Sequence, residues 1–249
     1  MSLVGFLAGC WETGPMASPT DDSLSNAGIY ADLRADMIEL ARALSTTDEA
    51  RLVPQCPEWS IKGVYAHVVG INADVLSGNV DGIGSDQWTA AQVKQRASMT
   101  LSEVCDEWEE LAPTFDALGA ARPLTARNIT GDLITHHHDV LAALGWPGDP
   151  NSAAVRVALG RYGPLFVERA AEAGLPVVLV NAGERSWKSN DGDPVAVVRA
   201  SEFELLRAFT GRRSLAQVRA MSWEGDSEPY LAVVTPYGLP TEDVVDLLV

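Results

Sequence analysis

Basic residues are scarce in this chain. Only 18 Lys and Arg stand against 34 Asp and Glu, a formal net charge of −16. Nucleic-acid binding needs clustered cations to neutralise phosphates, so this balance argues against it. It argues equally against an anionic membrane surface. Cysteine is scarcer still. Cys10, Cys56 and Cys105 are odd in number and far apart, with no CxxC pair. That usage fits a reducing compartment and excludes a disulfide scaffold. No apolar run approaches the roughly 20 residues of a membrane span. Leu7-Ala8-Gly9-Cys10 looks like a bacterial lipoprotein cleavage box, yet no Lys or Arg precedes it. Its apolar run of about eight residues is at the bottom of the signal-peptide range. The box reads as a chance match, Met16 as the start, residues 1–27 as a flexible polar tail, and the protein as cytoplasmic.

What is present suffices for a core. Apolar residues make up 47% of 249 positions, enough for one large domain or two small ones. Leu33, Met37, Leu40 and Leu44 recur at steps of three and four, which predicts a helix over 30–44. A second helix is predicted over 61–76, with Ser60 as its N-cap. A third helical region spans 90–118 and breaks near Met99. Pro123 and Asn128 read as part of a connection. The fourth helix covers 130–144 and stops at Gly145, with Pro147 beyond. Four helices with modest loops predict a bundle over 28–148.

The texture changes at Gly148-Asp149-Pro150-Asn151-Ser152, which reads as a domain boundary. A helix over 153–173 leads to strands predicted at 176–180 and 194–199. Residues 201–209 read as a helix in which Ser201 and Glu204 form a capping box. Residues 217–223, with alternating apolar positions, read as a third strand. The fold class is therefore α+β: a helical bundle, then a smaller C-terminal α/β domain over 149–249.

Four histidines lie in two places. On the fourth helix, at about 100° per residue, His136 sits about 40° from Asp132 and Asp139 about 20° to the other side. Asp132, His136 and Asp139 thus share one face, while His138 points to the opposite side and His137 lies beyond the apolar arc. On the second helix, His67 falls beside Val64, Val68, Ile71 and Val75, facing inward. A buried imidazole needs a hydrogen-bond partner or a metal. If the two helices are neighbours, His67 completes an N, N, O set with Asp132 and His136, and three protein ligands leave a coordination position open. On spacing alone the plainer readings prevail: a local Asp–His hydrogen bond and a satisfied core histidine.

Two motifs tilt the balance. Val53-Pro-Gln-Cys-Pro-Glu-Trp-Ser60, followed by Ala66-His67-Val-Val-Gly70, resembles the opening of the maleylpyruvate isomerase-like, mycothiol-dependent family of DinB/YfiT-like metal-binding bundles. Asp132-Leu-Ile-Thr-His136-His-His-Asp139, followed by Ala143-Leu-Gly145, is similar to its second motif. Gly211-Arg-Arg213, Val218-Arg219 and Trp223-Glu-Gly-Asp226 resemble its C-terminal domain, which is like a sterol-carrier protein. The resemblance implies a divalent metal, zinc in the first instance, held by His67, Asp132 and His136, with Asp132 standing where the family has Glu. Asp74 or Asp139 could assist that shorter acid. It implies a low-molecular-weight thiol, mycothiol in actinobacteria, and a small electrophile as the other partner. The expected activity is a thiol-using transferase or isomerase. A non-catalytic metal-stabilised binding or regulatory module and a metal-dependent hydrolase are the alternatives.

Other residues read more plainly. Cys56, just before a helix start where a thiol is activated, reads as a packing residue ahead of a nucleophile. Arg199, Arg207, Arg212, Arg213 and Arg219 suit carboxylate recognition, but read mostly as solvated faces, with Arg212 and Arg213 as carbonyl caps. Trp59, Trp88, Trp108 and Trp146 read as bundle core or rim.

Overall fold

A computed structural model describes residues 25–249. The cleavage-box and start-site readings at residues 7–16, and Cys10 with them, lie outside the described residues. The chain divides into two compact units, Met1–Leu144 and Gly145–Val249.

In the first unit, α1 (Asn26–Ala43) starts where the Ser25 hydroxyl accepts from the Gly28 amide, and it buries Ile29, Leu33, Met37 and Ala41. A single turn, α2 (Thr46–Glu49), precedes an antiparallel ribbon of β1 (Leu52–Val53) and β2 (Cys56–Ser60). The ribbon hands the chain to α3 (Ile61–Ser77). Ser60 caps α3 by accepting from Gly63, and Gly78 ends it at φ 77°. A positive φ there costs glycine nothing, which is why the helix stops at that residue. The third helical region is two helices, α4 (Asp86–Gln95) and α5 (Leu101–Ala121), with the break where Thr100 and Glu103 form a capping box. α6 (Pro123–Leu144) starts earlier than predicted. Pro123 is its first residue, where the missing N–H would have had no partner. Asn128, expected in a connection, is buried inside the helix.

Helices α1 and α3 each pack against both α5 and α6, and α4 lies along α3. Two buried polar contacts tie the bundle's helices together. The Tyr65 hydroxyl donates to the Met37 carbonyl at 2.7 Å, and the Asn72 amide meets the Tyr30 hydroxyl at 2.8–2.9 Å.

The second unit opens with α7 (Ala153–Glu172), against which α8 (Glu202–Phe209) packs. Its four strands are β3 (Val178–Ala182), β4 (Arg185–Lys188), β5 (Ala196–Arg199) and β6 (Ser222–Glu224), in the order β4-β3-β5-β6. β3 and β5 are parallel, and both edge strands are antiparallel. β4, which sequence patterning did not predict, follows the two-residue turn Gly183-Glu184, where Gly183 takes φ 76°. Glycine in the first turn position is the signature of a tight hairpin. The strand predicted at 217–223 is a correction. Ser214 and Gln217 form a capping box that starts a helix, α9 (Leu215–Ala220), and only Ser222–Glu224 pairs with β5. Ser201 does cap α8, but Glu204 does not complete a box there; its carboxylate pairs with Arg213. A last turn, α10 (Glu228–Leu231), precedes the tail.

The arginines also depart from expectation. Arg207 is fully buried and donates to Asp246 at 3.0 and 3.2 Å. Arg213, also buried, bridges Asp246 and Glu204 at 2.8 and 2.7 Å. Arg207 is therefore no solvated face, and Arg213 also caps the Arg212 carbonyl at 2.8 Å, as expected. Arg199 and Arg219 form exposed pairs with Glu224 and Glu228. Arg212 caps the Thr210 carbonyl, as expected.

Candidate metal centre

Two helices and the ribbon converge on one cluster. α3 contributes His67, and α6 contributes Asp132, His136 and Asp139 at helical steps of four and three. β2 contributes Cys56 and Trp59. His67 and His136 are buried, at 3% and 5% exposure. The Asp132 side chain keeps 32% exposure, although its Oδ2 is buried, so the cluster comes nearest the surface at Asp132.

His67 Nε2 lies 3.7 Å from Asp132 Oδ2, and His136 Nε2 lies 3.8 Å from Asp132 Oδ1. These separations are too long for hydrogen bonds. Two ligands of a tetrahedral ion, each about 2.1 Å from it, sit about 3.4 Å apart. One donor atom from each of the three residues falls within 4.8 Å of the others. The set therefore fits a small divalent cation with two nitrogens and one oxygen. Asp132, one methylene shorter than the Glu that the resemblance implies, still presents one oxygen to each ring.

The other ring nitrogens are held from behind. Gln92 Nε2 donates to Asp74 Oδ2 at 2.7 Å, and Asn79 Nδ2 donates to Asp74 Oδ1 at 2.8 Å. A carboxylate only accepts, so Asp74 orients the Gln92 amide with its oxygen towards His67. His67 Nδ1 then donates to Gln92 Oε1 at 2.8 Å, which leaves Nε2 to face Asp132. His136 Nδ1 faces Asp139 Oδ2 at 3.3 Å. Histidine ligands of metals are commonly fixed by such outer partners. Burial alone would lower the His136 pKa. The nearby Asp132 charge, the hydrogen bond to Asp139 and the approach of Cys56 outweigh it and push the pKa up to about 10. Trp59 walls the cluster, its ring 4.9 Å from His67 and 6.1 Å from His136.

Asp74, considered above as an auxiliary ligand, supplies no atom to this cluster; it acts through Gln92. His137 and His138 also stay out of it. Burial pushes the His137 pKa down to about 4. Sequence reasoning missed Gln92 altogether and placed Cys56 and Trp59 in plain packing roles. Cys56 Sγ is in fact 4.0 Å from His136 Nδ1. Gly70 is part of the same construction. A Cβ there would fall 2.4 and 2.6 Å from Gln92 Cβ and Cγ, so only glycine lets α4 bring Gln92 up to His67.

No curated protein sequence matches the chain. A crystal structure of the mycothiol-dependent maleylpyruvate isomerase, as a histidine-to-alanine mutant, aligns with TM-score 0.50 at 10% identity. The alignment covers 80% of this chain and 91% of that one. A second crystal structure of the mycothiol-dependent maleylpyruvate isomerase aligns with TM-score 0.48 at 12% identity, covering 75% and 88%. The first of these is a likeness of fold, and it agrees with the α+β architecture. Residues 30–148 match the family model of the mycothiol maleylpyruvate isomerase N-terminal domain. That segment contains all the cluster residues, and it is this segment that is similar to the mycothiol maleylpyruvate isomerase N-terminal domain family.

Proposed function

We propose that the chain is a metal-dependent enzyme that uses a low-molecular-weight thiol, mycothiol, to isomerise or transfer a group on a small electrophile. The observation that carries this reading is the convergence of His67 Nε2, His136 Nε2 and the Asp132 carboxylate. The match of residues 30–148 to a family model named for a mycothiol maleylpyruvate isomerase supports it. The three residues are assigned one divalent ion, zinc being suited to two imidazoles and a carboxylate with a position left open. Such an ion would supply a Lewis acid able to hold a thiol as thiolate or polarise a carbonyl.

The chain's own residues do the remaining work. Gln92 and Asp139 keep the two rings turned so that Nε2 of each faces Asp132. Trp59 excludes water from one side of the rings. The half-open edge at Asp132 is the side from which thiol and electrophile enter.

The test is thermal stability with and without mycothiol. A ligand that binds only the native state, at a hundredfold excess over its Kd, raises stability by about 2.7 kcal/mol. The metal-loaded protein is expected to show that shift, and the metal-stripped protein and Asp132→Ala are not. Turnover of an unsaturated keto acid that requires mycothiol completes the reading. Turnover without thiol would make the protein a hydrolase, and a shift without turnover would make it a binding module.

Gly70→Ala tests the support of the site. The new methyl group must push Gln92 away from His67. Zinc affinity is expected to fall ten- to hundredfold, the usual cost of losing an outer partner, while the circular dichroism of the helices stays unchanged. Unaltered zinc affinity would show that His67 does not depend on Gln92.

A further inference from the structure

His136 is flanked on both edges of its ring. On the Nε2 edge lie Asp132 and His67, the N, N, O set. On the Nδ1 edge lie two more potential ligands. Asp139 Oδ2 is 3.3 Å from Nδ1, Cys56 Sγ is 4.0 Å from Nδ1, and Cys56 Sγ is 3.9 Å from Asp139 Oδ2. These three atoms also lie within 4.8 Å of one another.

The separations suit a metal. With metal–sulfur near 2.3 Å and metal–nitrogen or metal–oxygen near 2.1 Å, tetrahedral ligands stand roughly 3.4–3.6 Å apart. The nitrogen–oxygen pair is already at that spacing, and the two sulfur separations exceed it by about half an ångström. A small turn of the Cys56 side chain closes the difference. Cys56 is half-buried at the start of β2, whereas the Asp139 side chain is fully buried and fixed on α6. An incoming ion therefore meets a rigid nitrogen–oxygen pair and a movable sulfur.

We propose that Cys56 Sγ, His136 Nδ1 and Asp139 Oδ2 form a second metal site, selective for a soft, thiophilic cation and mutually exclusive with the Nε2 set. Selectivity follows from the ligands. Thiolate favours soft ions such as Cd²⁺ or Cu⁺, whereas the N, N, O set on the other edge has no sulfur. Exclusivity follows from the imidazole. Its two ring nitrogens point apart in the ring plane, so one ion cannot serve both sets. A neutral ring that ligates through Nδ1 carries its proton on Nε2. An ion on the cysteine side thus withdraws His136 and leaves His67 and Asp132 as an incomplete pair. On binding, the Cys56 S–H proton passes to solvent, and the neutral His136 ring exchanges its Nδ1 proton for one on Nε2 through solvent. The device would make a thiol-handling centre sensitive to soft metals through a cysteine that is not one of its own ligands.

The experiment uses the full chain with Cys10→Ser and Cys105→Ser, so that Cys56 is the one remaining thiol, and Cd²⁺ as the probe. Titration is expected to produce a thiolate-to-cadmium charge-transfer band in the ultraviolet, saturating at one ion per chain. Cys56→Ser is expected to abolish the band and Asp139→Asn to weaken binding at least tenfold. His67→Ala and Asp132→Ala are expected to keep the band, and these two variants separate the site from the Nε2 set. With zinc loaded beforehand, the total of bound ions is expected to stay at one as the band grows. The proposal is overturned by the absence of a band, by its survival in Cys56→Ser, or by its loss in His67→Ala, which would make Cys56 a ligand of the first centre. Two ions bound per chain would overturn the exclusivity.

Discussion

His67→Ala is expected to strip the protein of its divalent ion. The side chain is buried, and its Nε2 is one of three donor atoms converging at Asp132. Losing an outer partner of a metal ligand typically costs ten- to hundredfold in affinity. Losing the ligand itself should cost on the order of a thousandfold, more than that outer-partner range. Metal analysis of protein dialysed against zinc checks this: about one ion per chain for the wild type and none for His67→Ala. His136→Ala and Asp132→Ala are expected to behave alike. His138→Ala is the contrasting variant, because its ring supplies no atom to the cluster, and it should keep the ion. Equal loss from His138→Ala would mean that α6 is rotated away from the phase that sets His136 beside Asp132. A wild type that stays metal-free after reconstitution with zinc, nickel or manganese would end the metal reading.

The largest effect on stability is expected in the second unit, from Arg207→Ala. Arg207 is fully buried against Asp246, whose other partner is Arg213. Removing one member of a buried ion pair leaves the remaining charge partly uncompensated, at a cost of about 3–5 kcal/mol. Arg207→Met keeps most of the volume, so the comparison separates lost packing from lost charge. A double replacement, Arg207→Met with Asp246→Leu, should recover part of the loss, since apolar substitutes for a buried pair are often neutral or better. Hydrogen exchange read by mass spectrometry over residues 202–224 is the measurement, because local opening reports the stability of its own segment. Unchanged exchange there in Arg207→Ala would show that the pair contributes nothing.

What could be read from the sequence was what is local in the chain. Ser60 caps α3 and Gly78 ends it through contacts within a few residues, so the bounds of that helix were legible. The facing of Asp132, His136 and Asp139 is a matter of helical phase, and α6 obeys it. The inward orientation of His67 followed from the apolar residues around it on α3. Features that depend on packing between elements were hidden. Gln92 sits on a polar ten-residue helix, and only the close approach at Gly70 brings it to His67. Cys56 reaches His136 because the β1–β2 ribbon folds back. Arg207 looks like an ordinary helix-surface arginine until Asp246, 39 residues later, closes over it. Two local signals were legible but outshone. The glycine-led turn at Gly183-Glu184 announces β4, and the Ser214-to-Gln217 capping box outweighs the strand-like alternation of residues 217–223.

All the residues of both metal sets lie between Cys56 and Asp139, inside the helical unit, and none comes from Gly145–Val249. They are nevertheless spread over a strand and two helices that meet only when that unit folds. An unfolded segment offers no preformed chelate, so the free energy of binding the ion becomes folding free energy of the helical unit. With the proposed ion bound, its stability would rise with the logarithm of free zinc, and ion supply would join amino-acid sequence in setting how much of the chain is open to proteolysis.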